Sequence, residues 1–493
     1  MPRHVRRRAA SNNPKRLPKK IQKLLPQSKS SEKNSSIKKP TKQRRIRKRK
    51  IHKRNKDCRR TILHMWFTKR FKMELMWNIF IPWKNNMKNQ RILYRGSKKG
   101  SICYYMPFLK TFMLNSNGDS SSIYQQLLDF IPTNQLERLK TNPIHHSFRM
   151  DLYEYQKYPY NLIGPCDVVK IEQNDQLYLV FTVHHLVYEA IIEQFLKHNV
   201  SLSFESKDCS FVRLHGSHSS ERLGKKFGKK LPTFEQNQWQ CLDLNQSLLN
   251  LNFSSFFENL KNNIIAIRQY HFGNEIETIE ILIPDQNLKK FWNLINANMS
   301  HLVGGLRDLE VMTIDTETLL YPRIGYLDCM FNRKEKSNST VQFNHFENKY
   351  IIRDQEILSI LNTDHSLDKI ANKIIDPENA LIQIMVDYQR GMPNTDDKIL
   401  APKSLNLISK FMNDENNDEN LLIKDDDDHE IIGIIEYGCF SMRMAHSRAI
   451  GIISLESLKK LWMINQNRKQ QLYTLVRTKF NHLRLVTISP ILC

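Results

Sequence analysis

The 493-residue chain carries 75 Lys and Arg against 50 Asp and Glu, a formal charge of +25. Residues 1–60 hold 25 of those cations and only two acids, Glu32 and Asp57, so the other 433 residues are close to neutral. The longest apolar run, about Leu177–Val187, is broken by His184 and His185 and falls short of the roughly 18 apolar residues that cross a bilayer, which predicts no transmembrane helix and no membrane partner. Residues Arg3–Arg8 are followed by Ser11-Asn-Asn-Pro rather than an apolar stretch, which argues against a secretory signal. The eight cysteines are more than 30 residues apart, which excludes local zinc-binding pairs and a dense disulfide scaffold.

In chain order, residues 1–56 alternate Lys/Arg clusters with Ser, Asn and Pro and end in Lys42–Arg54. Twelve of the first 60 residues are apolar, too few to offset the entropy of ordering them, so a disordered basic arm is expected. Its charge suits nuclear import or a nucleic-acid backbone, with a mitochondrial transit peptide as the alternative. Over residues 57–82, Trp66, Arg70, Met73 and Trp77 recur at intervals of four, three and four and predict a helix. Ser101–Phe112 reads as a strand, Ile123–Leu128 and Glu137–Leu139 as helical, and Leu177–Val183 as a strand leading into a helix that ends near His198. Residues 201–268 are rich in Ser, Asn and Gln and carry the basic patch Lys225–Lys230, the composition of a linker or insertion. A strand at Thr278–Ile283 and a helix at Lys289–Asn296 precede Val303-Gly-Gly-Leu-Arg307. Residues 333–350 and 413–430 read as solvated loops, the second with nine acids. The last segment alternates strand Ile431–Glu436, a turn at Gly438, strand Ile450–Ser454, helix Leu455–Met463 and strand Leu472–Arg477. This order gives an α+β class, with regions at 1–56, 57–200, 201–268, 269–350 and 351–493.

Dinucleotide, P-loop and hydrolase-elbow motifs are absent from the sequence, and no nucleophile and base pair stands out. His184, His185 and Glu189 lack a converging metal-ligand spacing, and Asp425–Asp428 lacks the spaced ligands and Gly of a calcium loop. Residues 42–95 interleave cations with Trp66, Phe67, Phe71, Trp77, Trp83 and Tyr94. Cations neutralise phosphates while aromatic faces stack on unpaired bases, the combination that RNA binding uses. Burial in a protein core is the competing fate of the apolar members.

His64-Met-Trp-Phe-Thr-Lys-Arg-Phe-Lys-Met73 resembles the H-x-W-H-A-K-R-F-x-M signature of the largest protein subunit of eukaryotic nuclear ribonuclease P and ribonuclease MRP. Further blocks follow in that family's order: Tyr94-Arg95; Tyr158–Pro165; Val303–Arg307 with Tyr321–Cys329, which resemble its central POPLD domain; Gly391-Met-Pro393; and Ile432–Ser441, Ala449–Ser454 and Leu475–Arg477, which resemble its C-terminal strands. Phe67 stands where the signature has its second His and Thr68 where it has Ala, and the acid expected just before His64 is missing. The G-W-x-L-x-L-P approach to the central domain survives only as Ile279–Pro284.

The resemblance implies a disordered basic arm followed by mixed α and β domains similar to the aminomethyltransferase T-protein fold. It implies a non-catalytic scaffold on a catalytic RNA, with no cofactor of its own, since in that family the RNA binds Mg²⁺ and supplies the active site. The implied partners are ribonuclease P RNA, ribonuclease MRP RNA or both, other protein subunits of the particle and, indirectly, precursor tRNA. The implied place is the nucleus and its nucleolus. Carried over residue by residue, His64, Trp66, Lys69, Arg70, Tyr94 and Arg95, with Arg91 from the same tract, are the expected RNA contacts. Arg307 joins them, with pairing to Asp308 or another acid as its competing role. Two other functions remain open at this point, a different nuclear RNA-binding scaffold such as a ribosome-assembly factor, and a folate-dependent transferase on the same fold.

Overall fold

A computed structural model describes residues 59–491, apart from 87–89, 116–119, 174–175, 199–202, 228–235, 244–255, 257–259, 261–263, 273–275, 298–300, 333–348, 364–372, 403–429, 466–471 and 481. The basic arm, the 333–350 loop up to residue 348 and the acidic loop up to residue 429 therefore lie outside the described residues. Among them no helix is long and apolar enough to cross a membrane.

Three sheets carry residues 101–490. A five-stranded antiparallel sheet runs in the order Ser147–Tyr153, Leu162–Gln173, Gln176–His184, Leu109–Asn115, Ser203–Lys207. Along Gln176–His184 the buried Leu177, Leu179, Phe181 and Val183 share one face, as the two-residue period of a strand requires. Leu179, Phe181 and Val183 pack with Phe112, Leu114, the helices Ser120–Leu127, Thr133–Thr141 and His185–Lys197, and Tyr321 and Tyr326. A six-stranded sheet runs Trp239–Asp243, Ile264–Phe272, Ile276–Pro284, Cys209–His215, Ile102–Met106, Leu302–Val303, all antiparallel except the last pair. Its Ile-rich face buries Ile265, Ile267, Ile279, Ile281 and Ile283 against Leu288, Phe291, Trp292 and Ile295 of the helix Asp285–Asn296.

The third sheet closes on itself. Ala380–Tyr388 pairs with both Ser447–Ser454 and Leu483–Pro490, and Ile431–Phe440, Lys398–Leu400 and Leu472–Arg477 complete a ring of six strands. Closure leaves no bare ladder edge within the ring, and Tyr350–Ile351 adds a short parallel strand on Ala380–Tyr388. The helix Leu455–Asn465 packs against this barrel through Leu455, Leu458 and Leu461.

Four expectations change. The helix expected over 57–82 is a single turn, His64–Phe67, followed by an antiparallel hairpin of Phe71–Met76 and Ile79–Asn85. Trp77 and Asn78 both take positive φ, 50° and 60°, and make the tight turn that sends the chain back. The strand expected at 101–112 is two strands, one in each of the first two sheets. The segment expected as a linker or insertion, 201–268, contributes Ser203–Lys207, Cys209–His215, Trp239–Asp243 and most of Ile264–Phe272, with Cys209–His215 in the interior of the six-stranded sheet. Gly438 lies inside a strand opposite Ala449, and the turn comes after Phe440; a Cβ there would run into Pro393.

Candidate nucleic-acid interface

The segment His64–Met73 divides into residues that anchor it and residues that project. Phe67 is fully buried, its ring 5.2 Å from Phe71, 5.3 Å from Trp292 and stacked 5.8 Å from Tyr105. Trp66 is half-buried and meets Phe67 and Trp292 edge-on at 4.9 and 5.2 Å. Met73 packs against the same core. His64 is 8% exposed and its ring sits 5.3 Å from Phe80, so the imidazole expected as an RNA contact is held in the protein interior by the returning strand. Lys69 and Arg70 are exposed. The Arg70 guanidinium lies 4.3 Å from the Trp66 ring centre and donates to the Trp66 carbonyl at 3.0 Å. That contact fixes where its charge points, since a guanidinium over an indole face is held by the ring quadrupole.

The hairpin carries this charge toward two further elements. Asn86 N–H donates to the Arg70 carbonyl at 3.0 Å, and Lys72 stands opposite Lys84 in the ladder. Lys72 is engaged by Glu74 at 2.6 Å, whereas Lys84 is exposed at the strand end. Asn85 Nδ2 donates to the Val303 carbonyl at 3.4 Å. Beyond it Gly305 abuts the hairpin backbone, where any Cβ would run into the Trp83 carbonyl. This close approach is why Gly304-Gly305 precedes the helix Leu306–Thr316. Arg307, in its first turn, is exposed. Asp308 accepts from the Gly305 N–H at 2.8 Å; burial raises its pKa, opposed by that bond and by the charges of Arg307 and Lys84. Arg307 and Lys84 both act on this carboxylate through their charge, while its hydrogen bond goes to Gly305.

On the other side of Leu302 lies the helix Gln90–Lys98, with Leu93 and Ser97 buried and Gly96 packed on Leu302. Arg91, Arg95 and Lys98, spaced by four and three, share its exposed face. Tyr94 is half-buried, and the Lys98 ammonium sits 4.9 Å from its ring centre. Of the expected contacts, Lys69, Arg70, Arg91, Arg95 and Arg307 are exposed, Trp66 and Tyr94 are half-buried under Arg70 and Lys98, and His64 is enclosed. Lys84 and Lys98 were not singled out in the sequence. Their signal was helical spacing in one case and strand alternation in the other, legible only once the elements were known.

Two regions of the chain match models of one protein family. Residues 23–117 match the N-terminal model of POP1, described as the ribonucleases P/MRP protein subunit, and residues 353–489 match the POP1 C-terminal domain. The chain belongs to the POP1 family. The first POP1 match contains the hairpin and the Gln90–Lys98 helix, and the second contains the closed barrel. Residues Val303–Arg307 lie between the two matches in sequence. Among solved structures, the crystal structure of glycine cleavage system aminomethyltransferase T from Bartonella henselae covers 88% of this chain and 97% of that chain, with a TM-score of 0.56 at 10% identity. The mixed α and β fold expected from the sequence is thus similar to that of the aminomethyltransferase. Heterotetrameric sarcosine oxidase from Corynebacterium sp. U-96 in complex with pyrrole 2-carboxylate covers 43% of this chain and 92% of that chain at 12% identity, and its TM-score of 0.24 is too low to bear on the fold. Among curated proteins none matches the sequence.

Between the first two sheets of this POP1 chain a buried charge network lies beside the apolar core that Val169, Ile171 and Val180 form with Tyr104, Phe211 and Leu282. Arg268 binds Glu280 and, at 3.1 Å, Asp167, while Arg213 grips Glu280 at 2.5 Å. Burial would raise the Glu280 pKa, but the Arg268 and Arg213 guanidiniums outweigh it and hold it at about 2. Beside the network lies a cavity of about 100 Å³ whose lining includes Arg149, Asp167, His184, Arg213, Glu280 and Tyr321. His184 caps the helix His185–Lys197, its Nδ1 accepting from the Leu186 N–H at 3.3 Å, and burial lowers its pKa well below the ordinary value. The His184 and His185 rings lie 4.9 Å apart, closer than their adjacency on alternating faces suggested. Among the described residues no group of three or more His, Cys, Asp or Glu could hold a metal ion.

Proposed function

We propose that this POP1-family chain is a non-catalytic RNA-binding scaffold of nuclear ribonuclease P, ribonuclease MRP or both, stabilising the catalytic RNA for tRNA 5′-leader removal and precursor rRNA processing. In this reading the bound RNA holds the Mg²⁺ ions, neighbouring protein subunits complete the particle, and the complex resides in the nucleolus. The observation that carries it is the division of labour in the matched N-terminal segment. Phe67, Phe71 and Trp66 tie it to the six-stranded sheet, while Lys69, Arg70, Arg91 and Arg95 stand exposed, as do Lys84 and Arg307. A surface of that kind suits phosphate, which selects for charge held in place by a rigid support.

The charges beside the cavity of about 100 Å³ favour the scaffold reading over the transferase alternative. The cavity's Arg213, Glu280 and Asp167 side chains are engaged in the Arg268 network rather than presented to a substrate.

The basic arm adds long-range attraction. Deleting residues 1–60, which carry a net +23, is expected to lower the slope of log K against log salt by several units, at roughly 0.7–0.9 per phosphate contact. Titrations of ribonuclease P RNA and MRP RNA with full-length and truncated chain at four salt concentrations measure it. An unchanged slope would remove the arm from the interface.

A further inference from the structure

We propose that one rim of the C-terminal barrel is a second RNA-contact surface, which binds an unpaired stretch of the same RNA; this rests on the scaffold reading above. Six strands give the barrel two rims. At one of them all three connections are short: Gln389–Asp397, Ser441–His446 and the turn after Arg477, where the Thr478 N–H donates to the His482 carbonyl at 2.9 Å. The three are locked together. Arg484 lies against Gly391, Pro393 against Gly438, Ser447 Oγ against the Met392 sulfur at 3.2 Å, and the Lys479 N–H donates to Asp397 at 3.1 Å.

This rim exposes large apolar side chains that the core does not claim: Phe480 at 66%, Met392 at 57%, Met444 at 46% and Phe440 at 37%. Around them residues 387–398, 440–448 and 477–484 contain seven Arg or Lys against three Asp, with Asp315 and Glu317 also at the rim and Arg448 buried in pairs with Asp387 and Glu317; Arg390, Lys398 and Lys479 are exposed. Two of the three Asp are already engaged, Asp387 by Arg448 and His446 and Asp397 by the N–H groups of Asn394 and Lys479. The Lys479 ammonium sits 5.1 Å from the Phe480 ring centre, so the most exposed aromatic is flanked by a cation. Exposed aromatic faces among cations suit unpaired bases with their phosphates.

Position supports the same occupant. The helix Leu306–Thr316 begins at Gly305 against the hairpin and ends at the rim, where Asp315 accepts from Ser441 Oγ at 2.6 Å and its carbonyl from Arg443 at 3.3 Å. Eleven residues of helix span about 16 Å, so one RNA strand can touch both surfaces.

The test uses the full chain with ribonuclease P RNA and MRP RNA, measuring affinity and melting temperature for wild type, Lys479→Ala/Phe480→Ala and Lys69→Ala/Arg70→Ala, together with a photo-crosslinking amino acid at position 480 in the assembled particle. The rim variant is expected to bind about tenfold more weakly at unchanged melting temperature, with the crosslink on RNA. Affinity within twofold of wild type, or a crosslink to a protein subunit instead of RNA, would overturn the rim assignment. If Lys69→Ala/Arg70→Ala weakens binding while the rim variant does not, the rim alone fails; if the wild-type chain binds neither RNA, the scaffold reading fails with it.

Discussion

Phe67→Ala is expected to destabilise the chain by about 3–5 kcal/mol, the range for truncating a buried aromatic. Phe67 is fully buried and touches Phe71, Tyr105, Trp66 and Trp292, so its removal leaves a cavity where the hairpin segment meets the six-stranded sheet. Trp66→Ala should cost less, since part of the indole faces solvent and the Arg70 guanidinium. The order matters because Phe67 occupies the position of an imidazole in the signature that His64–Met73 resembles. In this chain that position is an apolar anchor. Urea unfolding of the two purified variants measures both costs, and a Phe67→Ala loss below that of Trp66→Ala would contradict the packing described.

The second large effect lies in the buried charge network. Glu280→Gln removes the carboxylate that Arg213 and Arg268 share, and both guanidiniums are well buried. Breaking a buried pair by removing one partner typically costs about 3–5 kcal/mol, because an uncompensated charge stays behind. The pH dependence follows from the same geometry. Glu280 is held at about 2 in the folded chain against an ordinary 4.5, a depressed folded value. Its stabilising contribution is therefore fully present above about 4.5 and is lost as pH falls from there through about 2. Wild type should lose stability over that interval faster than Glu280→Gln, so the gap between them narrows in acid. Unfolding free energies of both proteins from pH 6 to pH 3 measure it; a gap that stays constant would mean that Glu280 is not the ionised partner.

The parts of the fold legible in the sequence were those with local periodicity. Gln176–His184 followed by His185–Lys197, and Leu455–Asn465 between two strands, appear close to where alternation and helical spacing place them. The hairpin was misread because Trp66, Arg70, Met73 and Trp77 happen to fit a helical period, while the deciding feature is backbone. Trp77 and Asn78 adopt positive φ, which no side-chain pattern announces for a Trp. Residues 201–268 were misread because Arg213 and His215 interrupt the apolar run of Cys209–His215. Arg213 sits in that strand as the partner of Glu280 on the neighbouring one, a pairing 67 residues away. Barrel closure rests on Ala380–Tyr388 meeting Leu483–Pro490, about 100 residues on, beyond any local signal.

The exposure of the expected cations was legible in the sequence, and the enclosure of the expected imidazole was not. Lys69, Arg70, Arg91 and Arg95 are exposed as a solvated Lys or Arg generally is. His64 reads the same way in sequence, yet the Ile79–Asn85 strand brings Phe80 onto it. Only the fold sets Gly305 against Trp83 and Gly96 against Leu302.

The central claim is that these exposed cations bind RNA by fixed charge on an independently stable support. The direct measurement is affinity for ribonuclease P RNA and MRP RNA as a function of salt, paired with melting temperature, for wild type and for Lys69→Ala/Arg70→Ala/Arg91→Ala/Arg95→Ala in the full chain. These four residues are exposed, and exposed substitutions typically change stability by no more than about 0.5 kcal/mol each. The account predicts weaker binding, a salt slope lower by about three units at roughly 0.7–0.9 per lost phosphate contact, and melting within a few degrees of wild type. Unchanged affinity and slope in a variant that melts as wild type does would contradict it.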